Sequence, residues 1–394
     1  MKICLINNLY KPYQRGGTER VIELAVNELI KNHQVLVITT QPEGIKNCLA
    51  EGNLKLCRFN PRNIYYLLDD YKMSWLKKCW WHFFDLFNFN TAAKIESELN
   101  NFQPELIITH NLKGFSYQIP KIIRKLKMPH IHILHDYQLI DPHGSMYRQG
   151  QNLTQIGPFL WLYSRITRAL FKSPDMVISP SKFVLDKHLE YGFFKGSKTA
   201  VLPNPCIIKD LRPKTQDPTR LKLLFLGQVE SHKGVEFLVR TFMKWPEPNS
   251  ELLIVGQGSQ LESIKELIKV DNRIKILGKV DYQQIDQIFY QSNILIVPSI
   301  WWDNSPTVIY EAYNHQVPVL VSDSGGSKEL VIEGQTGFIF KSADENDLLK
   351  KWDHLKIIKE DLKDYGQNGY EFVQQFSADK YVQQLLTLCQ ELKK

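Results

Sequence analysis

Short apolar runs alternate with longer amphipathic ones along the whole chain. In the second half, Leu221 to Leu226, Glu251 to Val255, Ile274 to Leu277, Ile294 to Val297, Val317 to Val321 and Gly337 to Phe340 predict strands. Between them, Val235 to Lys244, Gln260 to Val270, Tyr282 to Gln291 and Thr307 to His315 carry apolar residues at helical spacing. The first half repeats the layout, with strands predicted at Lys2 to Ile6, Gln34 to Thr39, Glu105 to Thr109, His130 to Leu134 and Met176 to Ser179. Strands that alternate with helices build a mostly parallel sheet covered on both faces, so the expected class is α/β, Rossmann-like and doubly wound.

At 394 residues the chain exceeds the ~250 at which a single core stops growing, which implies two domains. Pro203-Asn204-Pro205 and the polar stretch Arg212 to Arg220 read as a linker, because they are rich in residues that break regular structure. No apolar run approaches the ~18 residues of a membrane-spanning helix, and Ile3 to Ile6 is cut short by Asn7 and Asn8, so a cytoplasmic protein is expected. The six cysteines, at positions 4, 48, 57, 79, 206 and 389, form no CxxC pair and are too sparse for a disulfide scaffold; reduced thiols with packing roles are expected.

The net charge of +7 is unevenly placed: residues 1–210 hold 27 basic against 17 acidic side chains. This excess points to an anionic partner, phosphate or a membrane surface. The basic residues are scattered rather than gathered on a recognition helix, which argues against nucleic acid. Trp75 to Phe89 and Pro158 to Lys172 are both aromatic and basic. Such segments fit either core-facing helices with solvated backs or helices lying on an anionic membrane.

Three loops carry candidate chemistry. Gly16-Gly17 follows the first strand and precedes a helical run, where backbone can approach an anion, although a glycine pair there also serves as plain turn chemistry. Gly227 to Gly234 lies between a strand and a helix, and Lys233 in it can meet a phosphate as a point charge or simply be solvated. The third is Val297 to Ala312. Here Asn304 and Ser305 are good N-cap types, Pro306 suits a first helical turn, and Glu311 falls one turn further in. A carboxylate there can accept from two ribose hydroxyls. The plain alternative is a capped helix with a surface carboxylate.

Taken in order, Gly16-Gly17, His135-Asp136-Tyr137, Ser179-Pro180-Ser181 with Pro203-Asn204, Gly227 to Gly234 and the Asp303 to Glu311 run resemble the retaining glycosyltransferases of sequence family 4. That family has the GT-B architecture, two Rossmann-like domains facing across a cleft. The resemblance implies an acceptor-binding domain over 1–205, a nucleotide-sugar domain over 206–375, and a helix over 376–394 that returns to the first. It implies a metal-independent, retaining hexosyltransferase that takes a UDP- or GDP-sugar as co-substrate, with no other cofactor. His135, Lys233 and Asp303 would be catalytic. Gly16, Gly17, Gln228, Lys233, Asn304, Ser305, Pro306, Thr307, Val308 and Glu311 would hold the donor, with His110 and Asp136 on the acceptor side. The acceptor would be a glycan or polyprenyl-diphosphate-linked oligosaccharide of surface polysaccharide, met at the inner face of the cell membrane.

Two positions depart from the family's commonest pattern. Gln228 stands where arginine is frequent, and Asp303 stands where the first glutamate of the Glu-x7-Glu pair is usual. The shorter side chain moves the carboxylate by more than ~1 Å. Two other readings stay open: a non-catalytic nucleotide-sugar-binding partner of a transferase, and a GT-B epimerase.

Overall fold

The computed structural model describes residues 1–44, 47–209 and 220–392. The expected linker from Arg212 up to position 219 lies outside the described residues. The chain forms two compact units, one of residues 1–146, 155–205 and 378 onward, the other of residues 147–154 and 206–377.

The first unit is built on β1 (Lys2–Ile6), β2 (Gln34–Thr40), β3 (Asn47–Glu51), β4 (Leu54–Phe59), β5 (Leu106–Thr109) and β6 (His130–Ile133). A short hairpin, β7 (Tyr147–Arg148) and β8 (Gln151–Asn152), belongs to the second unit although it lies within the stretch 1–205 expected as one domain. The first unit resumes with β9 (Met176–Ser179) and β10 (Lys198–Val201). Its strand order is β10-β9-β6-β5-β1-β2-β4-β3, parallel throughout except for β3. β1, β5, β6 and β9 are buried along nearly their whole length because helices cover both faces of the sheet.

The helices of this unit are α1 (Gly17–Leu29), α2 (Trp75–Leu86), α3 (Phe89–Phe102), α4 (Ile119–Lys125), α5 (Pro158–Phe171) and α6 (Lys182–Glu190). α1 buries Val21, Ile22, Ala25, Val26 and Leu29, one stripe at helical spacing.

The second unit carries β11 (Leu221–Leu226), α7 (Val235–Lys244), β12 (Ser250–Val255), α8 (Leu261–Leu267), β13 (Ile274–Gly278), α9 (Tyr282–Gln291) and β14 (Ile294–Val297). It continues through α10 (Thr307–Asn314), β15 (Val319–Ser322), β16 (Gly337–Phe340), α11 (Glu345–Ile357) and α12 (Leu362–Val373). The sheet order is β13-β12-β11-β14-β15-β16, all parallel. That order places the reversal of winding between β11 and β14, the crevice where open α/β sheets bind ligands. In the first unit the same reversal falls between β1 and β5.

Two expectations are corrected. Cys48 and Cys57 are not thiols: they sit directly opposite each other on the antiparallel pair β3 and β4, with Cα atoms 4.1 Å apart, and are joined as a disulfide. β3 is exposed along its length, so it had no apolar pattern to announce the pairing. Pro306 is the N-cap of α10 rather than a first-turn residue, and Asn304 and Ser305 precede the cap.

The last helix, α13 (Ala378–Gln390), buries Tyr381, Val382, Leu385 and Cys389 in the same core as α1, β1 and β5. Leu385 is 1% exposed. Leu385→Ala is expected to cost about 2–5 kcal/mol, the range for a truncated core leucine. Native-state hydrogen exchange should show the loss in the amides of β1 and β5 and leave those of β11 and β14 unchanged.

Candidate functional site

In the second unit the loops after β11 and β14 meet at the reversal of winding. The carbonyl of His232 accepts from the amides of Ile300 and Trp301 at 3.0 and 3.2 Å. Gly234 turns with φ of +73°, and a Cβ there would lie 2.0 Å from the Pro298 carbonyl oxygen, so no side chain fits. This closeness brings the predicted residues together. Lys233 Nζ donates to Asp303 Oδ2 at 2.6 Å and lies 4.9 Å from the centre of the Trp301 ring. Ser299 Oγ donates to the same carboxylate oxygen at 3.1 Å, and the Asn304 amide donates to Oδ1 at 3.1 Å. The Asp303 carbonyl in turn accepts from the Gly326 amide at 2.7 Å. Gly325 has φ of +70°, and a Cβ there would lie 2.3 Å from the Asp303 carbonyl oxygen, so no side chain fits.

Asp303, Asn304 and Ser305 are buried, whereas Pro306, Thr307, Val308 and Glu311 are partly exposed. Ser305 Oγ shares a hydrogen bond with the Tyr310 hydroxyl at 2.8 Å, so it anchors the loop to its own helix. Among the described residues no side chain caps the start of α10. Its first amides can therefore meet an anion. Gln228 is exposed on the same loop as Lys233.

Sequence reasoning missed the part played by Asn152. From the hairpin β7–β8 its side-chain amide donates to the Ile300 carbonyl at 2.9 Å, and its carbonyl accepts from the Trp302 amide at 3.0 Å. Tyr147 of the same hairpin packs edge-on against His232. These pairings span about 150 positions of sequence separation and leave no local pattern. Trp301 lay inside the motif but carried no predicted role; its ring is the surface under the Lys233 ammonium, a cation–π arrangement.

The first-unit candidates sit at the carboxyl ends of β1, β5 and β6. Gly16 is the N-cap of α1, its amide donates to Glu19 Oε2 at 3.0 Å, and a Cβ on it would meet nothing within 4 Å. Gly17 opens the helix and is exposed. His135 Nε2 and His110 Nδ1 share a hydrogen bond of 2.8 Å with the rings stacked. His110 is buried, whereas His135 is half-buried. Asp136 accepts from the Gln138 amide at 2.8 Å, and burial pushes its carboxyl up to about 6.

Two aromatic faces of this unit are open. α2 buries Trp81, Asp85 and Leu86 but leaves Trp75 at 71% and Trp80 at 59% exposure, with Leu76, Phe83 and Phe84 beside them. α5 exposes Phe159, Trp161 and Leu162, with Arg165 over the Trp161 ring. The same segment supports both helices: the Tyr117 amide donates to the Asp85 carbonyl, and the Tyr163 hydroxyl donates to that of Tyr117. The apolar sides are therefore not simply core-facing.

Burial also lowers seven histidines of this unit, His33 and, to about 3, His82 among them. His130 and His135 are lowered to about 3 and His188 to about 4, and His110 and His132 lie well below the usual value. The Thr109 hydroxyl lies between His130 Nε2 and His132 Nδ1, at 2.7 and 2.9 Å. As pH falls below ~6.5 the unfolded chain protonates its histidines and the native one does not, so native stability falls. Asp85, raised to about 7 by burial, and Asp136 act in the opposite sense: their contribution is lost as pH rises through those values. The lowered histidines outnumber the raised carboxyls, Glu19 included, so the first unit should lose stability between pH 7 and pH 4, read as a lower urea midpoint. Asp85→Asn should steepen that loss by removing one opposing term.

Comparison with known proteins supplies the family. The chain matches Glycosyltransferase Family 4 over residues 15–208 and Glycosyl transferases group 1 over residues 208–372. A Klebsiella pneumoniae protein of the cps region is 29% identical over 337 residues, covering 84% of this chain and 87% of that one. An uncharacterized glycosyltransferase of Methanocaldococcus jannaschii is 25% identical across 100% of this chain and 99% of its own. Among solved structures, sucrose-phosphate synthase from Thermosynechococcus elongatus superposes with a TM-score of 0.75 at 19% identity, covering 99% of this chain and 98% of that one. Anabaena HepE in complex with UDP does so with a TM-score of 0.71 at 17% identity, covering 99% and 100%. Two matched segments in succession, on two Rossmann-like parallel-sheet units of GT-B type, make this chain a member of the glycosyltransferases.

Proposed function

We propose that the protein transfers a sugar from a UDP- or GDP-sugar to a glycan or lipid-linked oligosaccharide acceptor, with retention at the anomeric carbon and without a metal. The observation that carries this reading is the Lys233, Asp303 and Trp301 cluster beside the uncapped start of α10, at the reversal of winding of the second unit. When a nucleoside diphosphate departs, negative charge grows on the leaving oxygen. Lys233 and the first amides of α10 meet that charge, and Glu311 accepts from the ribose. Asp303 holds the Lys233 ammonium until the diphosphate takes it over. His135 is neutral at physiological pH. That Anabaena HepE was crystallised with UDP supports the nucleotide part of the reading.

Lys233→Ala is expected to lower transfer about 10²-fold or more. Glu311→Gln should raise the donor dissociation constant about tenfold, the loss of one charge-assisted hydrogen bond. A thermal-shift screen of UDP, GDP, ADP and their sugars selects the donor, and product formation then checks both variants. Near-normal transfer in both would sink the assignment.

The acceptor is read as surface polysaccharide assembled at the inner face of the cell membrane. The name of the Klebsiella relative supports the first part and the open aromatic faces of α2 and α5, flanked by Lys77, Arg165 and Lys172, support the second. Among the described residues no helix is long and apolar enough to cross a membrane. The protein should float with vesicles containing anionic lipid at low salt, and Trp80→Ser with Trp161→Ser should abolish flotation. No flotation of the wild type removes the membrane contact and leaves the transferase reading intact.

A further inference from the structure

Lys113 follows β5 and Arg15 follows β1, so the two cations flank the reversal of winding in the first unit. The loop that carries Lys113 is fixed on both sides. Its amide donates to Gln138 Oε1 at 2.9 Å, and its carbonyl accepts from Asn8 Nδ2 at 2.8 Å. The Asn8 amide in turn donates to the Asn111 carbonyl at 2.9 Å. The side chain is therefore presented from rigid backbone, partly withdrawn from water.

The carboxylates around Lys113 attract it electrostatically but direct their hydrogen bonds to other donors. Asp70 accepts from the Tyr65 hydroxyl at 2.8 Å and lies 3.6 Å from Lys78. Asp85 accepts from the Gly114 amide, and Asp136 from the Gln138 amide, each at 2.8 Å. Among the described residues neither the Lys113 ammonium nor the Arg15 guanidinium has a hydrogen bond or an ion-pair partner. Burial lowers Lys113, and the neighbouring Arg15 charge lowers it further; Asp70, Asp136 and Asp85 act against this without cancelling it. His82 beside it is held neutral, burial lowering it to about 3, and so adds no charge. A withdrawn cation that lacks a partner is costly unless something else supplies one. The two cations at this crevice thus lack a hydrogen-bonded counter-charge among the described residues, next to the open space around Gly16.

We propose that Lys113 and Arg15 form a subsite for an anionic group, a phosphate or carboxylate, carried by the acceptor. The proposal rests on the transferase reading for the word acceptor, while the anion site itself does not. A donor diphosphate shares the chemistry, and binding of a nucleotide separates the two sources.

The test uses the full chain, with inorganic phosphate as probe, titrated at constant ionic strength with and without saturating UDP; UDP affinity is measured alongside. Phosphate should bind the wild type with UDP present. Lys113→Met should weaken it at least tenfold and Lys113→Arg less than about threefold, with UDP affinity unchanged in both, as expected for a point charge whose sign matters more than its shape. Should Lys113→Met fail to fold, Arg15→Gln, which alters an exposed side chain, should weaken phosphate binding severalfold by itself. Phosphate binding that is absent in the wild type, or equal in the wild type and the lysine and arginine variants, overturns the proposal. So does a parallel loss of UDP affinity in Lys113→Met, which would assign Lys113 to the donor. Failure of the transferase reading looks different: no nucleotide binds, yet phosphate still depends on Lys113.

Discussion

In both units most parallel strands are joined through helices that cover the faces of the sheet, and the winding reverses once. That constraint positions all of the chemistry in this protein. In the second unit the reversal lies between β11 and β14, and the loops leaving those two strands carry Lys233 and Asp303. In the first unit it lies between β1 and β5, whose loops carry Arg15, Gly16 and Lys113. Elsewhere along each sheet the crossovers fill the same edge, and no comparable opening follows from the topology.

Within the second unit the opening is held to a narrow geometry by close backbone approach. Gly234 and Gly325 stand where any side chain would strike a carbonyl oxygen, so the loops touch through main chain. Asn152 clamps the Ile300 to Trp302 turn from a hairpin borrowed out of the first half of the sequence. The result is an ammonium placed between a carboxylate and an indole face, with limited freedom. An aspartate here, rather than the longer glutamate, reaches Lys233 directly at 2.6 Å.

The first unit divides its polar groups differently. His110 and His135 bond to each other, His130 and His132 bond to Thr109, and burial lowers all four, so they act as packing and as hydrogen-bonding scaffold. Lys113 is the contrast, a cation without such a partner among the described residues. The outer helices α2 and α5 leave their aromatic sides uncovered, although each anchors its inner side on Tyr117 and its neighbours.

Much of this was legible in the sequence. Apolar runs set apart by amphipathic stretches fix strand, helix and parallel winding locally, because period and burial are properties of a few adjacent residues; β1, β9, β11, β14, β16, α7 and α9 have the bounds predicted. The order of motifs identified the family. Exposed β3 and the short β10 gave no periodic signal, and the disulfide between Cys48 and Cys57 followed only from the register of β3 on β4. Tertiary structure alone decided that Asn152 supports a loop about 150 residues away and that His110 bonds to His135. It alone showed the Trp80 and Trp161 faces to be open and Lys113 to lack a partner. Those outcomes depend on which distant groups meet in space and on what remains for water, and neither quantity is encoded in the spacing of neighbouring residues.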